Sequence, residues 1–148
     1  MDGTTASLFD LAGAEDTRHC WRRHASWPTL QGFVFVVDSA DAERMHEAST
    51  WLQSVLAERP ERCQVAFLVY LNKQDLPGAL SGQAACEALG LPAAAAQHPF
   101  RIQPCSAEDA SGLQEGMVWL LDEMDAQRRD LAAAEMGGGQ EPAGTTSG

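Results

Sequence analysis

The sequence predicts an α/β fold, a mostly parallel sheet with flanking helices, and three observations carry that reading. Two uninterrupted apolar runs, Gly32-Phe33-Val34-Phe35-Val36-Val37 and Val65-Ala66-Phe67-Leu68-Val69-Tyr70-Leu71, have the composition of strands buried on both faces. Between them, Met45, Ala48, Trp51, Leu52, Val55 and Leu56 recur at helical spacing. The resulting strand-helix-strand order implies right-handed crossovers between parallel strands.

Composition bounds the rest. A chain of 148 residues with 45% apolar residues suits one domain with its own core. A formal net charge of −11 argues against phosphate-backbone contacts and against attraction to anionic lipid, so nucleic acid is excluded as an expected partner. Cys20, Cys63, Cys86 and Cys105 are scattered without zinc spacing, as expected for reduced thiols of a cytoplasmic protein. No signal stretch or membrane-length apolar run is present and residue 2 is Asp, so no direct membrane anchor is expected in this chain.

In chain order, Ala6 to Asp10 is expected as a short strand ending in Asp10-Leu11-Ala12-Gly13, where a glycine lets a backbone N–H approach an anion and the Asp can reach a metal through water. Ala14 to His24 reads as a weak, partly exposed helix stopped by Trp27-Pro28. Gly32 to Asp38 is expected to be a central strand covered on both sides. The helix from Asp41 stops before Pro60. Val65 to Leu71 follows as a strand, then a shorter helix capped by Ser81 and closed at Gly90. Leu91 to His98 is low-complexity loop, and Phe100 to Gln103 alternates as a short strand. Ser111-Gly112-Leu113-Gln114 has the capping-box form, and Leu113, Met117, Leu120, Leu121 and Met124 make the apolar stripe of a final helix. Composition divides the chain into a domain over 1–130 and a Gly/Ala-rich tail over 131–148, expected to be disordered.

Chemistry concentrates in Asn72-Lys73-Gln74-Asp75, which the second apolar run delivers at its carboxyl end, where open α/β sheets bind ligands. The Asp75 carboxylate can accept from guanine N1–H and the exocyclic amine, the Asn72 amide can donate to N7, and the Lys73 stem can lie over the base. Adenine lacks the N1–H and would leave the carboxylate facing a lone pair, a penalty of about 1–3 kcal/mol.

These residues give the chain a resemblance to the ADP-ribosylation-factor-like (Arf-like) small GTPases. It runs through Phe9-Asp10-Leu11-Ala12-Gly13, Trp21-Arg22, Val36-Val37-Asp38-Ser39 and Asn72-Lys73-Gln74-Asp75-Leu76-Pro77. It continues in Leu89-Gly90-Leu91, Ile102-Gln103, Ser106-Ala107, Gly112-Leu113, Glu115-Gly116 and Trp119-Leu120. The resemblance implies a truncated P-loop-NTPase-like sheet without its first strand, first helix and second strand. It implies a GTP/GDP site in which Asn72, Lys73 and Asp75 hold the guanine, with Ser106 beside them and the Ala107 N–H meeting O6. Asp10 would help place Mg²⁺ and the Gly13 N–H would sense the γ-phosphate. A role in vesicle trafficking, with Arf-type effectors or regulators as partners, is what the family implies.

Departures from the family pattern limit that expectation. The glutamine that orients the attacking water is replaced by Ala14, and a switch glycine by Ala12. No Gly-x-x-x-x-Gly-Lys-Ser/Thr occurs, so the phosphate cradle, its lysine and its Mg²⁺-binding hydroxyl are missing and the Mg²⁺ site is incomplete. Hydrolysis is expected to be negligible and nucleotide binding weak. The missing first strand would lie between Leu8-Phe9 and Phe33-Val37. Its absence predicts either closure of the gap by those two strands or an exposed edge open to self-association or a partner strand. A nucleotide-independent interaction module and a truncated product of a longer Arf-like GTPase are the alternative readings.

Overall fold

A computed structural model of the chain describes residues 6–58, 64–91 and 98–137. Three parallel strands, β1 (Gly32–Asp38), β2 (Ala66–Asn72) and β3 (Phe100–Pro104), lie side by side in that order. The helices are α1 (His19–Ala25), α2 (Met45–Ala57), α3 (Gly82–Ala88) and α4 (Leu113–Gly137). The parallel order follows from α2 and α3 each returning the chain to the same end of the sheet.

Strand β2 is the centre of the molecule, and every residue from Val65 to Leu71 is buried. Alternation divides its side chains between two cores. Phe67, Val69 and Leu71 join Val37, Met45, Leu52, Leu56, Ala85, Leu89 and Leu91 under α2 and α3, while Ala66, Leu68 and Tyr70 join Leu120 and Cys105 under α4. In-register pairing places Phe33, Phe67 and Phe100 in one row across the three strands, stacked at 5.3 and 5.4 Å between ring centroids. Such cross-strand aromatic contacts help fix the register that a one-residue slip would destroy.

Strand β1 departs from its expected place. Its apolar composition suggests a central strand covered on both sides, yet among the described residues it is an edge strand, and Val36 is 62% exposed. The exposure of Val36 follows from the placing of α4, which meets β1 at its amino end. A Cβ on Gly32 would already lie 3.0 Å from Met124 Sδ and 3.1 Å from Leu120 Cδ1. Val34 is partly covered by that crossing and Val36, one pleat further on, is not.

The expected strand at Ala6 to Asp10 is also absent: the segment has no ladder partner, and Leu8 and Phe9 are 82% and 65% exposed. A strand needs a neighbour for its backbone groups, and β1 does not supply one. The two segments therefore do not close the gap between them. Instead residues 9–13 are pinned to α1. Phe9 packs edge-on against Trp27 at 5.5 Å, the Trp21 indole donates to the Ala12 carbonyl at 2.9 Å, and Arg18 Nε donates to the Gly13 carbonyl at 2.9 Å.

Local signals elsewhere hold with one exception. Ser81 Oγ accepts from the Ala84 N–H at 3.3 Å to cap α3, and Gly90 closes it with φ +68°. Ser111 does not cap α4, because Gly112 (φ +72°) turns the chain between it and the helix, and the Ser111 N–H donates to Asp109 Oδ1 at 2.9 Å. A side chain at 112 would collide with the Pro104 carbonyl. Helix α4 runs on through 131–137, which composition assigns to the tail; Leu131-Ala132-Ala133-Ala134-Glu135 are strong helix formers. Residues 92–97 of the expected loop and 138–148 of the tail lie outside the described residues.

Candidate functional site

The carboxyl ends of the three strands bring together residues from three loops. Asp38 and Asn72 are direct cross-strand partners at the last step of the β1–β2 ladder. Beyond them the β2 loop, Lys73 to Asp75, meets the β3 loop, Cys105 to Ala107, where the Gln74 N–H donates to the Cys105 carbonyl at 3.1 Å. Asn72, Lys73, Asp75, Ser106 and Ala107, far apart in sequence, converge here.

Their side chains are oriented by one another. Ser106, almost fully buried, donates its hydroxyl to Asp75 Oδ1 at 2.6 Å and accepts the Glu108 N–H at 3.2 Å. The Ala107 N–H donates to Asn72 Oδ1 at 2.9 Å. That bond settles which way the Asn72 amide faces: its oxygen is taken, and its NH₂ is left to donate. Asp75 retains the lone pairs of its second oxygen on an exposed side chain. The pattern offered outward is a carboxylate acceptor next to an amide donor. The Ala107 N–H is already committed to Asn72, so an incoming carbonyl oxygen would meet it only as a second acceptor.

Lys73 sits in the left-handed region, φ +67°, and its ammonium pairs with Asp38 Oδ2 at 2.7 Å. The hydrogen bond from Lys73 is the main cause that holds the Asp38 carboxyl below its ordinary value, and the same bond raises Lys73.

Sequence reasoning missed the residues beneath this surface. The Gln74 amide donates to Ser39 Oγ at 2.8 Å and to the Leu80 carbonyl at 3.1 Å, while the buried Ser39 hydroxyl donates to the Asn72 carbonyl at 2.6 Å. Gln74 thus ties the loops after β1, β2 and β3 together from the one position of Asn-Lys-x-Asp given no role. The available signal was Asp38-Ser39 ending the first apolar run as Asn72-Lys73 ends the second.

Asp10 and Gly13 are placed differently. Both are exposed, and the hydrogen bonds that hold their segment, from Trp21 to the Ala12 carbonyl and from Arg18 to the Gly13 carbonyl, lead toward α1 rather than to the strand ends. Among the described residues no cluster of His, Cys, Asp or Glu is arranged to hold a metal ion, and no helix is long and apolar enough to cross a membrane. A shallow groove lined by Arg101, Gln114, Glu115, Val118, Trp119 and Asp122 contains none of the site residues.

Known proteins resemble this chain in sequence and in fold. The profile of the ADP-ribosylation factor family matches residues 1–124. ADP-ribosylation factor-like protein 3 of Chlamydomonas reinhardtii is 34% identical over 123 residues, covering 83% of this chain and 67% of that protein. ADP-ribosylation factor-like protein 4D of Homo sapiens is 38% identical over 130 residues, 88% of this chain and 63% of that protein. The chain therefore spans 63–67% of the length of these relatives. A solved structure of the Arl6 BBS3 small GTPase from Trypanosoma brucei, with bound nucleotide analogue GppNp, superposes with a TM-score of 0.71 at 26% identity and covers 86% of each chain. With the family profile spanning most of its length and the parallel small-GTPase sheet in its fold, this chain belongs to the ADP-ribosylation factor family.

Proposed function

We propose that this chain recognises GDP and GTP through the guanine base, weakly, and that on its own it does not hydrolyse GTP. The observation that carries the base reading is the reciprocal setting of Asp75 by Ser106 and of Asn72 by Ala107, which leaves a carboxylate acceptor and an amide donor facing outward together. Asp75 would take N1–H and the exocyclic amine, Asn72 would donate to N7, and the Lys73 stem would cover the base.

The residues fit the base and do not fit the rest of the nucleotide. This 148-residue sequence carries no phosphate-loop motif, and in the segment of Asp10 and Gly13 the Ala12 and Gly13 carbonyls accept from Trp21 and Arg18, at the start of α1, and not from the base-site loops. Phosphoryl transfer depends on positioning and charge stabilisation by such groups, and Ala14 has no side chain to orient water. No catalytic step is assigned to this chain.

A nucleotide-independent interaction module is the second reading, favoured by Val36 on β1 and by Leu8 and Phe9 ahead of α1, large apolar side chains left exposed. Arf-type effectors or regulators in the cytoplasm are the partners either reading supports.

Calorimetric titration with GDP, GTP and ADP tests the choice. Weak binding of GDP and GTP with no binding of ADP is the expected result. Equal silence for all three would transfer the assignment to the interaction module.

A further inference from the structure

We infer that Asp38, outside the Asn-Lys-x-Asp motif, is a positioning residue of the base site: it holds the Lys73 ammonium so that the lysine stem is laid between the ends of β1 and β2. The inference rests on the guanine reading above and deepens it.

Three features of the geometry support it. Strand register puts Asp38 opposite Asn72, so the residue that follows Asn72 emerges beside the Asp38 carboxylate. Lys73 then adopts a left-handed backbone, unusual for a residue with a Cβ, and its ammonium reaches Asp38 Oδ2 at 2.7 Å. The other carboxylate oxygen, Oδ1, accepts the Ala40 N–H at 3.0 Å, so the backbone holds the carboxylate through one oxygen and leaves Oδ2 for the ammonium. Asp41 and Asp75 also face Lys73, and Arg44 faces Asp38, but none of these is its hydrogen-bond partner.

A free lysine stem has many rotamers, and ordering it when a base arrives opposes binding. An ammonium already held at Asp38 removes part of that cost. Roughly half the Lys73 side chain stays exposed, 49%, so the stem is accessible to a planar ligand. The pair is too solvated to matter much to the stability of the fold, which separates a positioning role from a structural one.

The test uses the purified full chain. Without nucleotide, zero-length carbodiimide coupling followed by peptide mass spectrometry should join Asp38 to Lys73. In low salt, Asp38→Asn should weaken GDP binding about two- to fivefold and leave the unfolding midpoint unchanged. Lys73→Met should weaken it similarly, and the double variant should be no worse than Lys73→Met alone. The effect of Asp38→Asn should vanish near 1 M salt, where screening acts over about 3 Å. The preference for GDP over IDP should not change, because Asp75 sets it. Wild-type affinity in Asp38→Asn at low salt, or additive losses in the double variant, would overturn the inference while leaving the guanine reading intact. Failure of the wild-type chain to bind GDP would overturn both, and a persisting Asp38–Lys73 cross-link would then mark the pair as a surface contact only.

Discussion

The Ser106 hydroxyl donates to Asp75 Oδ1 at 2.6 Å, joining the loop after β3 to the loop after β2 at the mouth of the candidate site. Ser106 is almost fully buried and Asp75 is exposed, so the bond anchors a solvent-facing carboxylate from beneath. Its direction matters: a carboxylate accepts this bond and still has acceptor capacity for a ligand.

Asp75→Asn should therefore abolish GDP binding. The amide can still accept from Ser106 through its oxygen, but it then turns an NH₂ toward the N1–H and amine of guanine, replacing attraction with donor-donor opposition. A loss of about 1–3 kcal/mol per mismatched group, with two groups opposed, is about thirtyfold or more in affinity, enough to take weak binding out of range. Calorimetry checks it, and unchanged binding would remove Asp75 from the site.

Ala14→Gln should leave GTP hydrolysis at background. Ala14 is exposed, and its carbonyl accepts from the Thr17 and Arg18 N–H groups at 3.0 and 3.2 Å, which fastens it to the turns leading into α1. A water-orienting side chain there has no held phosphate to act on. Phosphate release above background in the variant would require an unrecognised phosphate-binding group.

The contrast between β2 and β1 shows what was legible in the sequence. Both runs are continuous and apolar, and composition marks both as strands with close to the observed bounds. Whether such a strand is central or at an edge depends on its neighbours, and β1 carries no mark of having only one. That Asn72, Lys73 and Asp75 stand at the carboxyl end of a buried strand was legible because a short polar cluster ends an apolar run. The supports at Ser39 and Gln74 were not, since a hydroxyl or amide facing inward looks the same in sequence as one facing water. Asp10 and Gly13 match a motif, but a motif fixes residue types and not the partner that would hold them in place.

Gly116→Ala should destabilise the fold although it sits inside α4. On helix propensity alone alanine gains about 1 kcal/mol over glycine. At this buried position, however, a Cβ would lie 2.6 Å from Tyr70 Cε1 and 2.8 Å from its hydroxyl, which itself donates to the Leu113 carbonyl at 2.5 Å. Overpacking of this kind costs about 1–3 kcal/mol, enough to cancel or exceed the gain. Urea unfolding should show a lower midpoint for Gly116→Ala, and the loss should shrink in a Tyr70→Leu background; a more stable variant would mean α4 shifts freely.

Acid should loosen the segment carrying Asp10 and Gly13. Arg18 bridges the Gly13 carbonyl and the Glu47 carboxylate, and its hydrogen bond is the main reason Glu47 titrates below its ordinary 4.5. Because the folded carboxyl is the more acidic, its stabilising contribution is complete above about pH 4.5 and is lost as pH falls through the lower folded value. Hydrogen exchange in residues 10–17, corrected for intrinsic rate, should rise in that window. Glu47→Gln should show the faster exchange at every pH, and a variant that keeps the wild-type acid response would move the effect to another group.

The free edge of β1 bears on stability and function together. Strand β1 is apolar from Phe33 to Val37, has a neighbour on one side only among the described residues, and leaves Val36 62% exposed. Burying each such side chain is worth about 1.5–3 kcal/mol, so an added strand beside β1 would contribute an amount comparable with the 5–15 kcal/mol stability of an ordinary domain. We expect residues 1–136 in isolation to unfold broadly at low temperature and to self-associate through this edge. Val36→Lys should reduce the association, because a charge on an exposed edge opposes pairing, and should scarcely move the unfolding midpoint. An apolar strand ending in a phosphate-loop sequence, fused ahead of Met1, should sharpen unfolding and raise GDP affinity together, since one element would fill the edge and supply the phosphate contacts. Light scattering, calorimetric unfolding and GDP titration on the same three proteins check all of this. A wild-type monomer that unfolds cooperatively at high temperature and ignores the added strand would show the edge to be stable as it stands, and the interaction-module reading would then carry more weight than the nucleotide one.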